Sequence, residues 1–143
     1  MLLNRCRRDD GSVYYDLPGG GQRQYEALED AVVREVREES GYAVRVTGFA
    51  ALSEEICTHP ALRAAWPDYT HRVLHMFRAE VIGGEPETPT ELDPHLEGSV
   101  WVPLGEIGGL QVYPLNLTDR LKEVLAGDAP VFLGTYELDR ESP

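Results

Sequence analysis

The sequence predicts an α/β fold in which a mixed sheet lies between helices. Three observations predict it. Stretches with strand character outnumber helical ones along the chain. Two helical stretches, Leu28–Ser40 and Asn116–Ala126, are amphipathic, and each has an apolar face that must be covered. The chain has 143 residues, 42% of them apolar, which suits one domain spanning 1–143 around one core. Periodicity alone does not separate this arrangement from other α+β layers.

Composition narrows the function classes. No apolar run is long enough to span a bilayer, and no basic segment leads into an apolar one at the start. A soluble, cytoplasmic protein with no membrane partner is expected. Cys6 and Cys57 are far apart and lack metal-ligand spacing, so they read as reduced thiols. A net charge of −12 speaks against an extended nucleic-acid surface. A small anionic substrate would need local cations or metal to offset that field. Lys122 is the sole lysine among 13 basic residues. Arginine suits planar phosphate contacts, although a biased genome composition explains the preference equally well.

Taken in order, Met1–Arg8 begins apolar and turns basic, and Asp9–Ser12 is a turn signal. Val13–Leu17 reads as a short strand, so the two stretches form a hairpin with a longer loop. Arg5, Arg7 and Arg8 are candidates for phosphate contact; such residues more often line a solvated strand face. Pro18-Gly19-Gly20-Gly21 is a loop whose glycines allow a tight turn. Leu28–Ser40 has no internal Pro or Gly and stops at Gly41, a left-handed cap residue.

At about 100° per residue, Leu28, Ala31, Val32 and Val36 share one side of that helix. Glu35 lies within the apolar arc, and Glu38 and Glu39 flank it by roughly 60°. Arg34, Arg37 and Asp30 point the other way. Three carboxylates therefore continue the face that should be buried. Unpaired burial is costly, and three together repel, so they must protonate or share a cation. Clustered hard oxygen donors suit Mg²⁺ or Mn²⁺, above all with a phosphate substrate. A solvated acidic face is the plainer alternative, but it would expose Leu28, Ala31 and Val32 as well.

Gly20, Glu26, Arg34, Glu35, Val36, Glu38, Glu39 and Gly41 stand at fixed spacings within Gly20–Tyr42, 23 of 143 residues. This stretch resembles the box of the Nudix hydrolase family, and every fixed position is filled. Tyr42 stands where an aliphatic residue is common, and Tyr25 where a Gly often precedes the first Glu. Trp101-Val102-Pro103-Leu104 extends a weaker likeness across most of the chain. The resemblance implies a Nudix-type α/β/α sandwich with a mixed central sheet. It also implies a strand before the first one seen here, so that strand is either lacking or encoded upstream of Met1. It implies a metal shell of Glu35, Glu38 and Glu39 with the Gly19 carbonyl, and Glu26 pairing with Arg34 across the loop–helix junction. In many relatives a further acid from outside the box assists; Glu55, Glu91 and Glu97 are the candidates, each also readable as solvated.

Beyond the box, Ala43–Leu52 reads as a strand interrupted near Gly48. Cys57–Tyr69 reads as an irregular flap with a helical turn at Ala61–Ala65. Trp66 or Tyr69 is a candidate to stack on a base, or packs the flap itself. His71–Ile82 is the clearest strand, apolar on both faces and hence expected at a sheet centre. His71 and His75 are acid–base candidates, or hydrogen-bonded structural residues. Gly83–Gly98 is a loop, and Ser99–Leu104 a strand anchored in the core by Trp101. In the second helix Asn116 is the expected cap, with Leu117, Leu121, Val124 and Leu125 on one face and Gly127 closing it. Val131–Leu138 suggests a last strand, and Asp139–Pro143 a fraying end.

The expected activity is metal-assisted hydrolysis of a phosphoanhydride in a nucleoside diphosphate linked to another group. Glu35, Glu38 and Glu39 form the site, Arg34 orients them, and Glu35 or an outside acid is the base. The alternative is a non-catalytic module that senses a nucleotide such as ADP-ribose. An isomerase or structural partner has no positive feature beyond the shared fold. Homodimers are common among relatives, and the sequence does not fix one.

Overall fold

The computed structural model describes residues 1–90, 93–127 and 129–139. The fold is α/β, with helices on mixed sheets. The chain divides into two compact units, one of 1–48 with 77–113 and one of 49–76 with 114–143.

In the first unit the sheet order is β5-β1-β2-β6. Strands β1 (Leu2–Arg7) and β2 (Val13–Asp16) form the expected antiparallel hairpin, with Asn4 opposite Asp16 and Cys6 opposite Tyr14. Asp10 accepts a bond from the Ser12 N–H, and Gly11 takes φ 84° in the turn. Strand β5 (Leu96–Trp101) pairs with the other edge of β1, placing Ser99 opposite Asn4. The short β6 (Val112–Tyr113) runs parallel to β2; two residues are too few to show a periodic pattern in sequence.

Helix α1 (Leu28–Ser40) packs against β5. Ala31, Glu35, Val36 and Ser40 are buried, whereas Leu28, in the first turn, is 38% exposed. Gly41 ends the helix at φ 75°, with its N–H on the Arg37 carbonyl. A Cβ at Gly41 would drive into the backbone carbonyl of Glu87, whose N–H bonds the Gly41 carbonyl. Gly41→Ala is therefore expected to cost about 1–3 kcal/mol from the left-handed backbone alone. The clash adds to that, and a fall in thermal midpoint measures the sum.

The second sheet has the order β4-β3-β7. Strand β3 (Val44–Cys57) runs 14 residues, through both Gly48 and the Ser53–Ile56 stretch. It is uninterrupted because Gly48 keeps an ordinary strand backbone rather than a positive φ. Strand β7 (Val131–Leu138) pairs with it in parallel, with a register shift at Leu52/Ser53 beside Gly134, which adopts φ 89°. Strand β4 (His71–Val81) is at the sheet's end, not its centre. Its alternation is real, but Val73 and Val81 stay largely exposed.

The stretch before β4 is more ordered than its composition suggested. It holds helix α2 (Pro60–Ala65), with Pro60 at its start, and a 3-10 turn at Pro67–Tyr69. Helix α3 (Leu117–Ala126) buries Leu117, Leu121 and Val124 and packs against β7; Leu125 is exposed. Asn116 does not cap it. Its amide accepts from the Ser53 hydroxyl at 2.9 Å and donates to the Gly134 carbonyl at 3.2 Å, so it ties the strands instead. Trp101 is 57% exposed rather than a core anchor, and packs edge-on against Tyr42 at 5.8 Å. In the first unit's interior, Leu3, Ile107 and Val112 are fully buried.

Candidate active site

The loop before α1 and the helix itself meet at one guanidinium. Arg34 donates to both Glu26 carboxylate oxygens, at 2.7 and 2.8 Å. Its remaining donors reach Glu35 at 2.6 Å, Glu38 at 3.0 Å and the Gly21 carbonyl at 3.1 Å. Helical periodicity alone points Arg34 away from the acids. The long side chain folds back to them, because Glu38 stands one turn on and Glu35 is adjacent. The planar fork matches a carboxylate bidentately, which lysine cannot do. Glu26 also accepts from the Arg23 N–H at 2.8 Å. The Arg34 bonds, then the Arg23 N–H, hold its carboxyl down at about 2.

Tyr25, just before Glu26, has φ 67°, a left-handed conformation that an L side chain adopts only under constraint. This explains why Gly is common at that place in such boxes. Gly20 has a different job. A Cβ there would lie 2.7 Å from the Glu35 carboxyl carbon, so the loop backbone sits directly on that buried acid.

Glu39 lies at the far end of the acid row. Its Oε2 accepts from the Gly19 N–H at 2.8 Å and from the Asn4 amide at 2.9 Å. Burial pushes its pKa up to about 7, and the neighbouring charges of Glu35 and Asp16 add to the rise. The two hydrogen bonds oppose it. Glu38 is more accessible than Glu35 and also accepts from Arg23 at 3.1 Å.

Two site contacts were hidden in the sequence. Asn4 is buried, bonds Glu39, and accepts from Ser99 at 2.7 Å; the Ser99 hydroxyl also approaches the Glu39 carbonyl. The signal was an amide directly after the apolar start of β1. Arg23 gave no signal, since loop arginines are ordinarily solvated.

The outside acids fare differently. Glu97 is held by Arg5 and Arg7, the latter at 2.5 Å. Arg5 and Arg7 alternate with Asn4 and Cys6, so this trio lies on the sheet face opposite Glu39. Glu97, Arg5 and Arg7 thus satisfy one another away from the box. Glu55, in the second unit, is buried against Arg72 and the Tyr136 hydroxyl. Glu91 lies outside the described residues. His71 contacts Glu54 at 3.2 Å, and the exposed His75 faces the Phe49 ring at 6.1 Å. Trp66 and Tyr69 are exposed and pack edge-to-face at 6.4 Å.

Among the described residues, no three His, Cys, Asp or Glu side chains converge as a closed metal cage. The donor set nevertheless fits a hard divalent cation. Glu35, Glu38 and Glu39 offer only oxygen, and Glu35 raises the pKa of Glu39, a repulsion that a shared positive charge relieves. Among the described residues no helix is long and apolar enough to cross a membrane.

Comparison with known proteins bears on this geometry. None of the curated proteins matches the sequence. Among solved structures, a NUDIX hydrolase from Nitrosomonas europaea superposes with a TM-score of 0.70 at 18% identity, over 90% of this chain and 82% of its own. An ADP-ribose pyrophosphatase from Streptococcus suis gives 0.56 at 21% identity, covering 92% of this chain and 87% of that one. A UDP-X diphosphatase gives 0.63 at 13% identity, covering 92% of this chain and 59% of that one. These likenesses concern the fold. The NUDIX domain family matches residues 1–126, through both the box and the strands that hold it, and so the chain belongs to the Nudix hydrolase family.

Proposed function

We propose that this protein hydrolyses a phosphoanhydride bond in a nucleoside diphosphate linked to another group, with Mg²⁺ or Mn²⁺ held by Glu35, Glu38, Glu39 and the Gly19 carbonyl. The observation that carries the reading is the acid row itself. Glu35 is buried, Glu39 is partly buried, and Glu38 shares the Arg34 guanidinium with Glu35.

When bound, the divalent ion offsets phosphate charge and acidifies water. Glu35 accepts the proton of the attacking water as the bridging P–O bond breaks, leaving two phosphate-bearing products. Arg34 positions Glu35 and Glu38, and Glu26 fixes Arg34 to the loop. Two structurally similar proteins are named for ADP-ribose and UDP-X, both nucleoside diphosphates joined to a further group, which supports the substrate class. The two buried, unpaired thiols suit a reducing cytoplasm.

A panel of ADP-ribose, UDP-sugars, dinucleoside polyphosphates and nucleoside triphosphates, each with Mg²⁺ and with Mn²⁺, tests this. Phosphate products from at least one class are expected, abolished by chelator. Nucleotide binding without product from any class would instead support a sensing module. Light scattering on the same preparation decides whether the chain works as a homodimer.

A further inference from the structure

The sheet face that meets Glu39 continues into a cluster the hydrolytic site does not use. Ser99, Asn4, Asp16 and Tyr113 occupy one row across β5, β1, β2 and β6. In the next row Cys6 faces Tyr14, and Arg8 follows just beyond the end of β1. At this end the Arg8 guanidinium lies 4.3 Å over the Tyr14 ring and 5.9 Å from that of Tyr113. It donates to the Tyr113 hydroxyl at 3.0 Å, and the two rings meet edge-to-face at 5.7 Å. Gln111 is exposed beside it and accepts at 3.4 Å.

Arg8 differs from its neighbours. Arg5, Arg7, Arg23, Arg34 and Arg37 each pair with a carboxylate. Arg8 forms no such pair among the described residues, in a chain of net charge −12. Asp10 feels its charge only as a minor influence behind Ser12. Arg8 is held instead by the Tyr14 ring, the Tyr113 hydroxyl and the Ser12 hydroxyl at 3.3 Å. A planar guanidinium already stacked on a phenol ring presents its other face as a surface on which bases stack, and base stacking tolerates any base. From strand geometry the cluster lies about 10–13 Å from Asn4, the residue that touches Glu39. A nucleotide with its phosphates at the acid row reaches that far.

We propose that the Arg8 guanidinium, backed by the Tyr14 ring and held by the Tyr113 hydroxyl, is the platform on which the planar base of the nucleotide substrate stacks, with the Gln111 amide beside its edge. That the phosphates sit at the acid row rests on the hydrolase reading; the platform itself does not. The test is equilibrium binding of AMP, GMP, CMP and UMP against ribose 5-phosphate, which lacks a base. Wild-type protein, Arg8→Ala, Arg8→Lys and Tyr113→Ala are compared, with melting curves to confirm folding. Wild type should prefer the nucleotides. Arg8→Ala should bind them roughly 5- to 150-fold more weakly, and ribose 5-phosphate as before. Arg8→Lys keeps charge but loses the plane, so it should behave as Arg8→Ala, a readout that does not depend on Tyr113→Ala folding.

Full affinity in Arg8→Lys, an equal loss for ribose 5-phosphate, or no wild-type preference for a base overturns the platform. An Arg8-dependent preference in a protein that hydrolyses nothing supports the platform and overturns the hydrolase reading alone.

Discussion

Glu39→Gln lowers turnover by about 10²–10⁴-fold, the scale of removing a principal charge-stabilising group. Glu38→Gln does the same. The substitution at Glu39 separates chemistry from folding unusually well. Burial raises the Glu39 pKa to about 7, against an ordinary value of 4.5. Its folded form therefore binds a proton that the unfolded chain has released. The resulting stability is full below pH 4.5 and is lost as pH rises through 7. A neutral amide escapes that loss. With chelator present, Glu39→Gln should melt no lower than wild type at pH 8, and the wild-type midpoint should fall between pH 5 and 8 more than the variant's. Turnover near normal in both glutamine variants, with divalent ion supplied, would remove the acid row from the mechanism.

The second large effect comes from a residue without a side chain. Gly20→Ala places a methyl group 2.7 Å from the Glu35 carboxyl carbon and as close to its oxygens. The backbone at Gly20 is not left-handed, so alanine is tolerated there. The carboxylate, at the free end of its side chain, must yield. Displacing a reacting group by an ångström costs on the order of 10²-fold in rate. We expect that loss in kcat with a nearly unchanged melting point. Gly21→Ala is the control, because nothing lies within 4 Å of a Cβ there. Equal activity in Gly20→Ala and wild type would mean that Glu35 does not act where the fold puts it.

What was legible in sequence follows the range of the interactions involved. Helix α1 could be read because its period and its closing Gly41 are both local. The Glu26–Arg34 pair spans only eight residues and was readable from the family pattern. By contrast, Glu97 is claimed by arginines 90 and more residues away, and Asn4 reaches Glu39 across 35. No periodicity encodes such pairings. Trp101 and the β4 valines show a different limit. Large apolar side chains signal burial on average, but an edge strand can leave them in water. Asn116 looked like a cap because of its type, while tertiary partners in β3 and β7 took its amide.

The bond from Asn4 to Glu39 has a practical side. It makes the amino-terminal strand part of the working parts rather than mere scaffolding. Clipping by a protease, or trimming a few residues to aid crystal growth, would untie the last acid of the helix and remove the buried Leu3 with it. Intact mass should accompany every rate measurement on this protein.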